Sequence, residues 1–141
     1  GKYQSRVAAD VILGREARAT TDGPLSPRVV FTDPQVAAVG HTTASAEQAG
    51  LKVRIVDHPP GAVAGASFNG RGAEGLARII VEQERQVIVG ATFTGPDVAE
   101  LLHAATIAVV GEVPMHRLWH AIPAFPTRSE VWLRLLEKYG L

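Results

Sequence analysis

His116 and His120 stand four residues apart in His116-Arg-Leu-Trp-His120. On a helix that spacing puts two imidazoles on one face, as zinc sites need. The metalloprotease form of the motif has glutamate directly after the first histidine, and here that residue is Arg117. No third ligand follows, and a neighbouring cation disfavours a dication, so no metal site is expected. A second set, Asp97, Glu100, His103 and Thr106, recurs every three positions in an otherwise apolar stretch. It reads as the narrow wet stripe of a mostly buried helix rather than as a carboxylate–histidine site. Gly70-Arg71-Gly72 is a poor anion site, because no helix start follows it. The remaining group is the turn Pro123-Ala-Phe-Pro-Thr-Arg-Ser-Glu130, in which two prolines bracket Phe125 and a carboxylate sits just inside an amphipathic run. Glu130 in the first turn of a helix is favoured by the helix dipole alone, which makes capping or ion pairing its simplest role.

Composition removes several alternatives. The 141 residues are 46% apolar and 20% charged, with fourteen basic and fourteen acidic side chains. That is an ordinary balance for a folded domain with a real core. With no net charge, nothing suggests a nucleic acid or an anionic membrane as partner. The absence of cysteine excludes disulfides, thiolate metal sites and a thiol nucleophile within this chain. No run approaches the roughly 18 apolar residues of a membrane span, and the first residues lack a signal peptide's order of regions. A cytoplasmic location is expected.

The elements that must position these groups follow from periodicity. Residues 3 to 13 predict a short helix ended by Gly14, and 15 to 28 a polar linker. Residues 28 to 40 suggest two short extended pieces joined at Asp33-Pro34. Thr43 is placed to cap a helix running to Ala49, with Gly50 as its stop. Residues 52 to 57 alternate as a strand, with Val53 and Ile55 on one face and Arg54 and Val56 on the other. Residues 58 to 75 read as loop. Two β-branched runs around Gln83–Gln86 form the clearest hairpin. Helices are predicted from about Asp97 to Val110, over 114 to 120, and over 128 to 139. Strands first and helices after predict an α+β fold, an antiparallel sheet with helices packed on one face.

Four segments, in order, resemble one family. They are residues 1–14, Val29–Gly40, Gly90–Val109 and Pro126-Thr-Arg-Ser-Glu130. Together they resemble the pyridine nucleotide-disulfide oxidoreductases, the flavoenzymes that include dihydrolipoamide dehydrogenase and glutathione reductase. The resemblance implies that residues 1–22 are the trailing helix and linker of an FAD-binding domain. Residues 23–141 would then be the C-terminal dimerisation domain of an FAD-dependent NAD(P)H oxidoreductase, with FAD and NAD(P) as cofactors of the parent and a homodimer as its assembly. No GxGxxG loop and no cysteine pair occur here, so the isolated chain is expected to hold neither cofactor tightly and to be inactive. The alternative is an autonomous dimerising or ligand-binding module, with the broad face of the last helix, near Trp119 and Trp132, as its contact surface.

The resemblance also assigns roles within the turn. In disulfide-reducing members the position of Phe125 is a histidine that acts as acid–base in the partner's active site, oriented by a glutamate at the position of Glu130. Glu130 is thus the candidate catalytic residue, left without its usual mate. The backbones of Phe125 and Pro126 are candidates to contact the partner subunit's FAD, unless Phe125 is simply an apolar plug beneath the turn. Because a phenyl ring transfers no proton, an acceptor other than a disulfide is implied, such as a quinone or oxygen. His120 is the one nearby imidazole that could substitute, though as an end-of-helix histidine it needs no such role.

Overall fold

The computed structural model describes residues 1–69 and 74–141. The Gly70-Arg71-Gly72 anion-site reading lies outside the described residues. Five antiparallel strands form one sheet: β1 (Arg28–Val30), β2 (Gln35–Gly40), β3 (Val53–His58), β4 (Leu76–Glu82) and β5 (Val87–Gly95), in the order β1-β2-β5-β4-β3. The helices are α1 (Lys2–Ile12), α2 (Thr43–Gln48), α3 (Leu102–Val110), α4 (Met115–Leu118) and α5 (Glu130–Tyr139). The α+β arrangement agrees with the order of elements expected from the sequence.

The hairpin β4–β5 is the centre of the sheet, because its β-branched runs can be buried on both sides. Ile80 pairs with Gly90 but Val81 pairs with Ile88, so Val89 is an extra residue in β5. This bulge reverses the alternation. Ile88 therefore shares the main core with Ala91 and Phe93, while Val87 and Val89 join Ile80 and Ala46 in a small cluster on the other face beneath α2. Gly40 and Gly90 lie where β2 meets the bulge. A Cβ on Gly90 would come 2.0 Å from the His41 carbonyl oxygen, so only glycine permits that approach.

Helices α3 and α5 cover the main face through Leu102, Ala105, Val109, Val131, Leu135 and Leu136. Phe93, fully buried in β5, meets Trp132 of α5 edge to face at 5.9 Å between centroids, a favoured aromatic geometry. Three local expectations need correction. The cap of α2 is Thr42, not Thr43, because Thr42 Oγ1 accepts from Ser45 N–H (3.2 Å) while Ser45 Oγ accepts from Thr42 N–H (2.9 Å). Helix α5 begins at Glu130 rather than 128, with Ser129 as its N-cap. The solvent face of α3 is wider than one polar stripe, since Ile107 and Val110 are also exposed. None of the residues of α1 is buried.

The polar groups along the sheet set a pH dependence. Asp57 accepts two 2.7 Å hydrogen bonds from Arg78, and this guanidinium holds the Asp57 carboxyl below its ordinary range. Glu82, almost fully buried at the hairpin tip, accepts from the N–H groups of Glu84 and Arg85 and from Arg85 Nε, which likewise lower its pKa. His58 is lowered mainly by burial and then by the charges of Lys138 and Arg134. All three shifts act in one direction. A depressed carboxyl stabilises the fold above its unfolded pKa and loses that contribution as pH falls. A depressed imidazole, neutral when folded, does the same below its unfolded value of about 6.5. The melting temperature is therefore expected to fall on acidification, through His58 first and the carboxylates next. Thermal unfolding from pH 8 to pH 4 tests this, and a flat profile contradicts it.

Candidate functional site

Residues 119–130 form a surface corner fixed at both ends. On one side α4 is tied to the hairpin tip: Met115 is fully buried, its N–H donates to the Gln86 carbonyl (2.8 Å), and Pro114 bridges Val87. On the other side α5 is anchored by Val131 and Leu135, both without solvent exposure. Between them the chain turns through successive hydrogen bonds, Trp119 N–H to Met115 O, His120 N–H to Arg117 O and Ala121 N–H to Leu118 O. Thr127 Oγ1 then donates to the Ala124 carbonyl, closing the turn at Pro126. The peptides before Pro34 and Pro126 are cis. The backbone at Thr127 and Arg128 rests against Gly65, so closely that a Cβ there would lie 2.1 Å from the Thr127 carbonyl carbon.

The turn presents its apolar residues outward. Ile122 is 87% exposed and Phe125 76% exposed, so Phe125 is not a plug beneath the turn. Both line a pocket of about 380 Å³ together with Trp119, His120, Glu130 and Leu133. Glu130 is only 8% exposed, and its Oε2 has no hydrogen-bond partner. Neither capping nor ion pairing accounts for that oxygen. Burying a carboxylate oxygen without a donor is unfavourable, which marks it as a place where a donor belongs. The structure thus brings Phe125, Pro126, Glu130 and His120 to one corner. His120 lies past the end of α4 and is exposed.

Other sequence candidates separate. His116 is exposed on α4, and among the described residues no group of three or more His, Cys, Asp or Glu side chains could hold a metal ion. Among the described residues, no helix is long and apolar enough to cross a membrane. Asp97, Glu100 and His103 are exposed, and Thr106 Oγ1 donates back to the Leu102 carbonyl (3.0 Å). The apolar face of α5 is spent within the domain's own core, with Trp132 packed against it and Trp119 only partly covered. Part of the exposed apolar surface comes instead from Ile107 and Val110 of α3 together with Ile122 and Phe125. Beside it runs a second groove of about 290 Å³, lined by Ala104, Ile107, Leu118, Pro123 and Trp132. Sequence reasoning missed this surface, because the polar stripe marked the outward side of α3 as narrow and wet, whereas Ile107 and Val110, four and seven residues beyond His103, continue that side as apolar.

The dimerisation domain of the pyridine nucleotide-disulphide oxidoreductases matches residues 26–136. This chain belongs to that family. The match takes in every strand and the whole 119–130 corner, so the dimerisation domain contains both grooves. A dihydrolipoyl dehydrogenase of Chlamydia muridarum is 35% identical over 130 residues, covering 92% of this chain and 27% of the relative. That of Bacillus subtilis is 27% identical over 135 residues, covering 96% and 28%. The HOCl-induced flavoprotein disulfide reductase of Escherichia coli superposes with a TM-score of 0.81 at 26% identity, over 94% of this chain and 30% of that one. The chain therefore spans between a quarter and a third of the length of these relatives.

Proposed function

We propose that residues 23–141 are the C-terminal dimerisation domain of an FAD-dependent NAD(P)H oxidoreductase whose 119–130 corner completes the flavin site of a second, identical subunit. Residues 1–22 are then the trailing helix and linker of the FAD-binding domain. The observation that carries this reading is the outward presentation of Phe125 and Ile122 beside Glu130 on a corner braced from both ends. A solvent-facing apolar wall with a carboxylate behind it suits one side of a planar, largely apolar ring. It cannot hold a dinucleotide by itself. When bound, the flavin would supply two-electron transfer from NAD(P)H to the acceptor. Phe125 and Pro126 would line the ring, exclude water and offer backbone carbonyls to it. Cytoplasmic location is part of the same reading.

The acceptor in this proposal is not a disulfide, because Phe125 has no proton to exchange with a thiol. Dithiol chemistry relies on general acid–base help worth roughly 100-fold or more. The full-length enzyme is expected to reduce menadione with NADH or NADPH and to reduce lipoamide and glutathione disulfides on the order of 100-fold more slowly. Steady-state assays on the same preparation check this, and robust disulfide reduction overturns it. The apolar groove beside Ile107 favours one second reading, an autonomous dimerising or ligand-binding module. A full-length protein that binds no flavin yet sediments as a dimer would favour that reading.

A further inference from the structure

Glu130 is the first residue of α5 and only 8% exposed, yet its Oε2 accepts no hydrogen bond. Neither nearby cation supplies the donor. Arg134, one turn further along α5, donates to Glu137 (2.8 Å). Arg128 is drawn to Asp97, and its own Nε is buried without an acceptor. Glu130 lines the pocket of about 380 Å³ with Trp119, His120, Ile122, Pro123, Phe125 and Leu133. A water beside Oε2 would find few further partners, because His120 and the Trp119 indole N–H are the only polar side-chain groups among these six. A carboxylate oxygen without a donor, set beside exposed aromatic rings, suits an organic cation: the oxygen takes an N–H bond and the rings attract the charge. We propose that this pocket binds an aromatic cation carrying N–H donors, an arylalkyl ammonium or amidinium, with Glu130 as its anchor and Trp119 and Phe125 as its walls.

Size and chemistry narrow the class. The pocket has room for an aromatic body and a short amine arm. A neutral ring without a donor would gain burial against Ile122, Phe125 and Leu133 but would leave Oε2 unpaired. An anion would face the carboxylate directly. A quaternary ammonium would answer the charge and the rings, yet it has no hydrogen to give the oxygen. A cation with N–H groups satisfies the oxygen, the rings and the apolar wall together. The walls are held in place before any ligand arrives, since the turn that carries Phe125 is pressed at Thr127 against Gly65 and Glu130 opens a helix anchored by Val131 and Leu135. None of these contacts needs a flavin or a second subunit, so the site stands under either functional reading above.

The test uses the full-length protein labelled with fluorotryptophan, the Trp119 resonance being assigned by its loss in Trp119→Phe. Phenethylamine is expected to shift that resonance. By calorimetry it is expected to bind on the order of 10- to 100-fold more tightly than phenethyl methyl ether, a neutral analogue with no donor. The trimethylammonium derivative of phenethylamine is expected to fall between the two. Glu130→Gln is expected to bring phenethylamine close to the affinity of the ether and to leave the ether unchanged. Phe125→Leu is expected to weaken all three ligands, because it removes one wall and keeps the anchor. Equal affinity of the native protein for phenethylamine and the ether overturns the proposal, whether or not Glu130→Gln folds. So does a trimethylammonium derivative that binds as tightly as phenethylamine, or undiminished phenethylamine binding in Glu130→Gln. An unmoved Trp119 resonance at millimolar phenethylamine also overturns it, and a donor from a second subunit already seated on Oε2 would give that result. The flavin content of the same preparation, read from its absorbance, reports separately on the flavin-site reading.

Discussion

Phe93→Ala is expected to cost about 3–5 kcal/mol of stability, the usual range for removing a large aromatic from a filled core. Phe93 has no solvent exposure and sits at the middle of β5, paired with both β2 and β4. Its ring also meets Trp132 edge to face, so truncation removes an aromatic pair as well as volume. Neither neighbour can close the gap. The sheet side is fixed by ladder hydrogen bonds, and α5 is held at a distance by Val131 and Leu135. Set against a total of about 5–15 kcal/mol for an ordinary domain, the loss is about a fifth of the whole or more. A urea titration followed by tryptophan fluorescence reads it as a large drop in midpoint, together with an altered native signal from Trp132. A midpoint near that of the native protein would show that α5 does not depend on this contact.

Gly65→Ala is expected to disturb the functional corner rather than the core. The added Cβ would lie 2.1 Å from Thr127 C and 2.5 Å from both Arg128 N and Thr127 O. These are backbone atoms, so no side-chain rotation relieves the clash. The turn at Thr127–Arg128 has to move, and it carries Phe125 on one side and Glu130 on the other. Overpacking of this kind costs about 1–3 kcal/mol, a drop of several degrees in melting temperature for a chain of this size. The hairpin and Phe93 are remote from the contact, so Trp132 should keep its native packing while Trp119, in the shifted corner, should not. Thermal unfolding combined with single-tryptophan fluorescence separates the two. An unchanged melting temperature would mean that the loop before Gly65, not the turn, gives way.

What was legible in the sequence follows physical lines. The hairpin could be read because β-branched runs on either side of Gln83–Gln86 admit little else, and the strand at Val53 because its alternation is regular. The bulge at Val89 could not, since a single inserted residue leaves composition untouched and changes only parity. Thr42 and Thr43 are equivalent as caps until Ser45 chooses between them by reciprocal hydrogen bonds. Arg128 and Ser129 suit a helix, but the turn closed at Thr127 delays its start to Glu130. At the candidate site, the unusual residue at 125 was visible in the sequence, whereas its direction was not, because an aromatic between prolines serves equally as plug or wall. That His120 and Glu130 line one pocket was only suggested by the sequence, where His120 is the nearby imidazole, for a different reason. It depends on the path of ten irregular residues braced by Gly65, more than fifty positions away.

That bracing separates two properties usually entangled in evolution. The location of residue 125 is set by main-chain atoms pressed against a glycine and by helices anchored elsewhere, while its side chain reaches into solvent and supports nothing beneath it. Substitution there leaves the architecture intact, so a lineage can exchange one reactivity for another at this point through a single codon, with no compensating change in the scaffold.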